Sequence, residues 1–432
     1  MCKPGQPLQR FWPIEIGDNG NGTKDAQRLE FLRRPGHRIY APSPPKSLHE
    51  SLTDVATSDN EQSSHVCILG ELCARKRGRA PKVNTTMPFK VTIKPSGHSF
   101  TMSEDESVLT AALREGYVLP YGCRNGACAS CKGKILSGTV DYGNPQPGAL
   151  AEFEKRAGYA LFCQAKPTSD LVIEAREIDS VGALEVRRLP CRVQQIDKAA
   201  DDVMVIKLKL PANERLQFLA GQYIDILLRN GKRRSYSMAN PPHDDEFIEL
   251  HVRNMAHGAF TEYVFGGMKE KDILRFEGPL GTFFLQEDSD KPMILIASGT
   301  GFAPIKSIIE HAFHVGIERP MTLYWGGRRP QDIYMSTLAG QWQEQHDNLT
   351  FIPVISDALA EDNWTGRGGL VHRAVMEDFP DMSGFQVYAC GAPVMVEAAH
   401  RDFTAQCRLP ETEFFSDAFT PSVDPGSQPP GS

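Results

Sequence analysis

Four cysteines carry the most specific chemical signal in the chain. Within Tyr121-Gly-Cys-Arg-Asn-Gly-Ala-Cys-Ala-Ser-Cys131, residues Cys123, Cys128 and Cys131 follow the spacing C-x4-C-x2-C, and Cys163 lies further along in Leu-Phe-Cys-Gln-Ala. This is the spacing that wraps a 2Fe-2S cluster. Each iron takes two protein thiolates beside two bridging sulfides, so three ligands can come from one tight loop and the fourth from elsewhere. Gly122 and Gly126 suit a loop that wraps closely and aims backbone N–H groups at the sulfurs. A four-cysteine zinc site is the alternative. Such sites more often use two C-x2-C pairs, and here Cys163 stands alone, which favours iron and sulfur. A cluster of this kind moves one electron at a time.

Further along, weaker signals occur in a fixed order. Arg234-Ser-Tyr236-Ser237 puts a cation and an aromatic ring on one face of a strand, where alternate residues point the same way. That face suits a phosphate and a flat ring system, although it also describes an ordinary exposed strand. His251-Val252-Arg253 precedes Gly258-Ala-Phe-Thr261, where a glycine opens a helix whose free N–H groups and threonine hydroxyl suit a pyrophosphate. Gly299-Thr300-Gly301-Phe-Ala-Pro lies between a strand and a helix, so its backbone can approach a nucleotide, though its spacing is not G-x-G-x-x-G. Cys390-Gly391-Ala-Pro393 follows a strand, and Cys390 reads equally well as a small buried residue.

The elements that must hold these residues fall into three groups. The alternation in Phe89–Met102 predicts a β-hairpin, followed by a Ser103–Glu106 capping box, a helix over SVLTAALREG and a stop at Gly116. With strands at KGKILSGTV and DLVIEARE this gives an α+β module over 87–186. Residues 187–288 contain only strand-like runs separated by turns, which predicts an antiparallel barrel. Residues 289–420 alternate strand and helix, which predicts a parallel sheet covered by helices. The leader, 1–86, is unpatterned and expected to be disordered, or to precede a true start at Met87. Its Cys2, Cys67, Cys73 and His65 fit chance better than a metal site, and the tail 421–432 reads as unstructured.

The 432 residues carry a net charge of -7, too mild to suggest a nucleic-acid binder or a polybasic membrane anchor. The strand-like run Pro292–Ser298 is far shorter than the roughly 20 apolar residues of a membrane helix, and the start lacks a signal-peptide pattern. A cytoplasmic protein without membrane insertion is expected. In that compartment thiols stay reduced, so the ten cysteines read as ligands and free thiols.

At its cysteine loop the chain resembles the plant-type ferredoxins. From Leu189 to Phe419 the ordered motifs resemble the ferredoxin-NADP reductase superfamily, and the whole from Met87 is similar to reductases that serve oxygenases or deoxysugar dehydrases. The resemblance implies a multidomain protein, a β-grasp ferredoxin-like domain before a flavin barrel and a nucleotide domain. It further implies that Arg234, Tyr236 and Ser237 hold FAD, with His251, Val252, Arg253, Gly258 and Thr261 nearby. Gly299, Thr300 and Gly301 would lie at the nicotinamide, and Cys390 and Gly391 would flank the site of hydride transfer. A C-terminal aromatic would close the flavin face, with Phe414, Phe415 and Phe419 as candidates. Arg328 or Arg329, near Asp332 and Tyr334, could grip the 2′-phosphate of NADPH, but surface arginines are common, so NADH or NADPH stays open with a lean to NADH. The expected function is an NAD(P)H reductase that passes electrons through FAD and a 2Fe-2S cluster to an acceptor protein. The alternative is a non-catalytic redox sensor or electron carrier.

Overall fold

The computed structural model describes residues 88–178 and 184–420, all of them within one unit of mutual contacts, Pro81–Ser432. The expectations for the leader, with Met87, Cys2, Cys67, Cys73 and His65, and for the tail lie outside those residues.

Strand β1 (Phe89–Lys94) buries Val91 and Ile93 and exposes their neighbours, the period-two pattern of a strand with one face on a core. It pairs antiparallel with β2 (Ser99–Met102) and parallel with β7 (Leu171–Glu174). With β3 (Lys132–Ser137) and β5 (Tyr159–Leu161) they form a mixed sheet in the order β2-β1-β7-β3-β5. A separate ribbon joins β4 (Val140–Asp141) to β6 (Lys166–Pro167). Helix α1 (Val108–Arg114) buries Val108, Leu109, Ala111 and Ala112, and α2 (Glu152–Arg156) is short. The capping box falls elsewhere than the sequence suggested. Ser107 is the cap, its hydroxyl accepting from the Thr110 N–H at 3.2 Å. Ser103 and Glu106 instead close the preceding turn: the Glu106 N–H donates to the Ser103 carbonyl at 3.2 Å, and its carboxylate accepts from the Ser103 N–H at 3.5 Å and from Arg114 at 3.0 Å. Gly116, at φ +86°, follows the helix as expected.

The second sheet is antiparallel. It contains β8 (Arg187–Ala200), β9 (Val203–Lys209), β10 (Tyr223–Leu227), β11 (Arg233–Ser237), β12 (Ile248–Arg253) and β13 (Ile273–Leu280), in the order β11-β10-β13-β8-β9-β12. A bridge between Met238 and Leu250 brings its two outer edges together. Helix α3 (Ala259–Gly266) follows β12.

The third sheet is parallel, in the order β17-β16-β15-β14-β18-β19, built from β14 (Met293–Ser298), β15 (Met321–Gly327), β16 (Leu349–Ile355), β17 (Arg367–Gly368), β18 (Gln386–Gly391) and β19 (Phe414–Ala418). Residues 293–297 are all buried, as expected of a strand covered on both faces. The covering helices are α4 (Phe302–His314), α5 (Ser336–Gln345), α6 (Val371–Asp378) and α7 (Pro393–Gln406). Neither α5 nor β19 was expected from sequence. Helix α5 buries only Ala339 and Trp342, too sparse a stripe to read as a helical period. β19 becomes a strand by pairing with β18, and its own pattern is only half-buried.

The modules share packing. Phe284 and Leu219 of the second module pack into the core of the first. Between the second and third, the Ser307 hydroxyl donates to the carbonyl of Asn240 at 2.8 Å.

Candidate active site

The loop after α1 brings the four cysteines together as two pairs. Cys123 and Cys128 exchange backbone-to-sulfur hydrogen bonds at 3.3 Å in each direction, and Ala127 N–H donates to Cys123 Sγ at 3.4 Å. The thiols of Cys131 and Cys163 form the second pair. Gly126 takes φ +79°, and Arg124 and Ala129 are also left-handed, which is how so short a loop turns its N–H groups inward. The Cys128 thiol, helped by these N–H groups, outweighs burial and holds Cys123 at about 5. Cys163 is lowered in the same way by Cys131, while Cys128 and Cys131 are raised. Among the described residues, no three His, Cys, Asp or Glu side chains form a group suited to a single metal ion. Two thiol pairs with inward N–H groups fit a two-iron cluster, one pair for each iron.

One cavity of about 1820 Å³ runs from this loop across the second sheet to the ends of the parallel strands. That is roughly twice the upper size of an ordinary ligand pocket and suits two nucleotide-type cofactors end to end. At one end it is lined by Gly122, Cys123, Arg124 and Asn125. Arg234, Tyr236, Ser237, His251, Arg253, Gly258 and Thr261 line its middle. Gly299, Thr300, Arg328, Ser356, Arg401 and Phe419 also line it. Helix α3 has no side-chain cap at Gly258, so its first-turn N–H groups are available to an anion. The Thr261 hydroxyl is engaged by the carbonyls of Met255 and Gly258, each at 3.0 Å, and so fixes the loop. Gly299 takes φ +54°, and a methyl group there would lie 2.6 Å from Nη1 of Arg253.

Four residues expected at the site are not part of the cavity lining: Val252, Gly301, Cys390 and Gly391. Gly301 and Gly391 instead allow two turns to touch. A side chain on Gly301 would overlap the Cys390 carbonyl, and one on Gly391 would overlap the backbone of Ser298. The Cys390 thiol is fully buried, and burial raises it well above its ordinary range. Of the three C-terminal aromatics, Phe419 reaches the cavity. Phe415 stacks on Tyr388 at 4.9 Å, and Phe414 lies against His400.

Sequence reasoning missed Asp417. It is buried on β19 opposite Cys390, accepts from the Ser237 hydroxyl at 3.4 Å and lines the cavity. Burial, then the negative charge of Cys123, pushes its carboxyl up to about 7.

A buried polar network holds the two walls of the cavity. His251 Nδ1 meets the Tyr334 hydroxyl at 2.8 Å and Nε2 meets Glu249 at 3.1 Å, while Lys306 lies between Glu249 at 3.3 Å and Glu310 at 2.9 Å. Burial alone would raise Glu249, but the bond from His251 and the charge of Lys306 bring it to about 2. Burial lowers His251. Both shifts are downward, so the stability they contribute is present above the ordinary values of 4.5 and 6.5 and is lost as pH falls below them. Glu249→Gln is expected to cost about 3 kcal/mol at pH 7 and roughly half of that at pH 3, where the lowered carboxyl is still mostly ionised in the folded state. Urea unfolding at the two pH values checks this, and an equal loss at both would show that Glu249 is not held ionised.

A ferredoxin-type cysteine loop opening on a two-nucleotide cavity defines an iron-sulfur flavoprotein reductase. Three family models match in that order: the 2Fe-2S iron-sulfur cluster binding domain at 91–168, the oxidoreductase FAD-binding domain at 190–285 and the oxidoreductase NAD-binding domain at 295–401. The chain is 40% identical over 336 residues to the CDP-6-deoxy-L-threo-D-glycero-4-hexulose-3-dehydrase reductase of Yersinia pseudotuberculosis, covering 78% of this chain and all of that one. It is 34% identical to the phenol hydroxylase P5 protein of Acinetobacter pittii, covering 78% of this chain and 96% of the other. The solved cytochrome P450 reductase GcoB of Amycolatopsis superposes with a TM-score of 0.63 at 34% identity, covering 78% of this chain and all of that one. The chain belongs to this family of NAD(P)H-dependent iron-sulfur flavoprotein reductases. It is an oxidoreductase that passes electrons from NAD(P)H through FAD to a 2Fe-2S cluster, and not a carrier without catalysis. Among the described residues no helix is long and apolar enough to cross a membrane.

Proposed function

We propose that the chain is an NADH-specific, cytoplasmic reductase serving a separate acceptor protein, either an oxygenase component or a CDP-6-deoxysugar dehydrase component. The observation that supports it best is the cavity lined by the cysteine loop at Gly122–Asn125 and elsewhere by Gly299 and Thr300. FAD bound there takes two electrons as hydride and releases them singly. Cys123, Cys128, Cys131 and Cys163 hold the cluster. Arg234 and the free N–H groups of α3 bind the FAD diphosphate, and Tyr236 and Ser237 lie at its ring. Phe419 would cover the ring face. Thr300 orients the nicotinamide, and Cys390 and Gly391 shape the wall behind it. The first sheet reads as a β-grasp domain and the second as a closed barrel.

The preference for NADH rests on the two arginines. Arg328 is held by Asp332 at 3.3 Å, and Arg329 is clamped by Asp362 at 2.5 and 2.6 Å and by Glu361 at 3.0 Å. Gripping a 2′-phosphate would require breaking these pairs. With purified protein containing flavin and iron, NADH is expected to bleach the flavin band with a kcat/KM roughly 10- to 100-fold above NADPH, the worth of one charge-assisted hydrogen bond. Equal use of both nucleotides would refute the selectivity. Failure of both to bleach the flavin would refute the reductase reading of the cavity.

A further inference from the structure

The cysteine loop is fastened to the second module at the peptide just before Cys123. Tyr223, which opens β10 and pairs with Ser237 of β11, donates its hydroxyl to the Gly122 carbonyl at 2.7 Å. The N–H of that same peptide belongs to Cys123 and donates to Cys128 Sγ at 3.3 Å. One planar unit therefore accepts from the tyrosine at one end and donates to a cluster sulfur at the other. The tyrosine is set rigidly. It is 5% exposed, and a methyl group on Gly281 would lie 2.8 Å from two carbons of its ring. The neighbouring Thr282 hydroxyl accepts from the Tyr121 N–H and donates to the Tyr121 carbonyl, both at 2.9 Å, and so ties the residue before the Gly122–Cys123 peptide.

We propose that Tyr223 is a positioning residue that fixes and polarises the Gly122–Cys123 peptide, strengthening its N–H bond to Cys128 Sγ and so raising the reduction potential of the cluster. The proposal rests on the reading of Cys123 and Cys128 as cluster ligands. Chained hydrogen bonds polarise one another, and hydrogen bonds to the sulfurs are one determinant of cluster potential. The tyrosine keeps its proton and its electrons. It acts on the acceptor of the single electron that leaves the reduced flavin, and it does so from the wall of the flavin cavity, so the two modules are matched electronically as well as docked.

The test is a redox titration of the reduced-cluster electron paramagnetic resonance signal in the full-length protein with flavin and iron bound. In Tyr223→Phe the cluster potential is expected to fall by about 30 to 60 mV, the equivalent of a threefold to tenfold shift in a one-electron equilibrium. Amide exchange at residues 122–128 should rise at the same time. Thr282→Val, which loosens the neighbouring tie only, should leave the potential in place. An unchanged potential in Tyr223→Phe overturns the proposal, as does an equal fall in both variants, which would trace the shift to loosened docking. Iron and sulfide content in wild type and in Cys128→Ser reports separately on the ligand reading.

Discussion

Replacing Cys128 with Ser is expected to abolish electron delivery to cytochrome c while NADH-dependent reduction of ferricyanide, which draws on the flavin, largely persists. The sulfur of Cys128 cannot be replaced by a hydroxyl without loss of a soft thiolate ligand. It is half-buried beside Cys123 and receives the Cys123 N–H, so two of the proposed ligand sites are disturbed by one change. The loss in cytochrome c reduction should exceed the roughly 10- to 100-fold that removal of an outer-shell contact typically costs. Flavin chemistry is spared because the residues proposed to hold FAD lie on β11, β12 and α3, outside the cysteine loop. Parallel assays with the two acceptors, alongside iron and flavin counts, check this. Equal loss of both activities would break the order nicotinamide, flavin, cluster.

That order was legible because chemistry concentrated in local motifs. The cysteine spacing lies within nine residues of one loop plus Cys163, and the structure assembles those four sulfurs. The longer strands of the three sheets announce themselves through alternating or continuous apolar runs, whereas β5, β17 and β19 do not. What stayed hidden depends on long-range pairing. Asp417 sits among Phe414, Phe415 and Phe419, a segment that draws attention to its rings. Its burial exists only once β19 is laid against β18 and faces Ser237, 180 positions earlier in the chain. Tyr223 reads as one more strand aromatic, and nothing near it in sequence points to a carbonyl 101 positions away.

The glycines of the third module show where motif and geometry part, and they set the second large effect. Gly301→Ala is expected to lower kcat/KM for NADH by about 100-fold, the cost of misplacing reacting groups by roughly 1 Å. Gly301 has an ordinary helical backbone, φ -58°, so conformational freedom is not the reason a glycine stands there. Space is. An alanine methyl would overlap the Cys390 carbonyl and lie 2.7 Å from Gly391 Cα, and these are backbone atoms that no rotamer change can move. The turn Gly299–Gly301 and the end of β18 would have to separate, carrying with them Ser298, Thr300 and Ala392, all on the cavity wall. The Ser298 hydroxyl, which accepts from the Ala392 N–H at 2.9 Å, is the first bond that such a separation breaks. Overpacking of this kind also costs about 1 to 3 kcal/mol of stability. Gly340→Ala is the matched control. It lies in α5 with nothing within 4 Å of a new methyl group, so it should be neutral or stabilising by up to about 1 kcal/mol and leave NADH oxidation alone. Steady-state kinetics with ferricyanide as acceptor, paired with thermal unfolding, separate the two effects. A Gly301→Ala protein with wild-type kcat/KM would show that the contact between these two turns does not set the nicotinamide site.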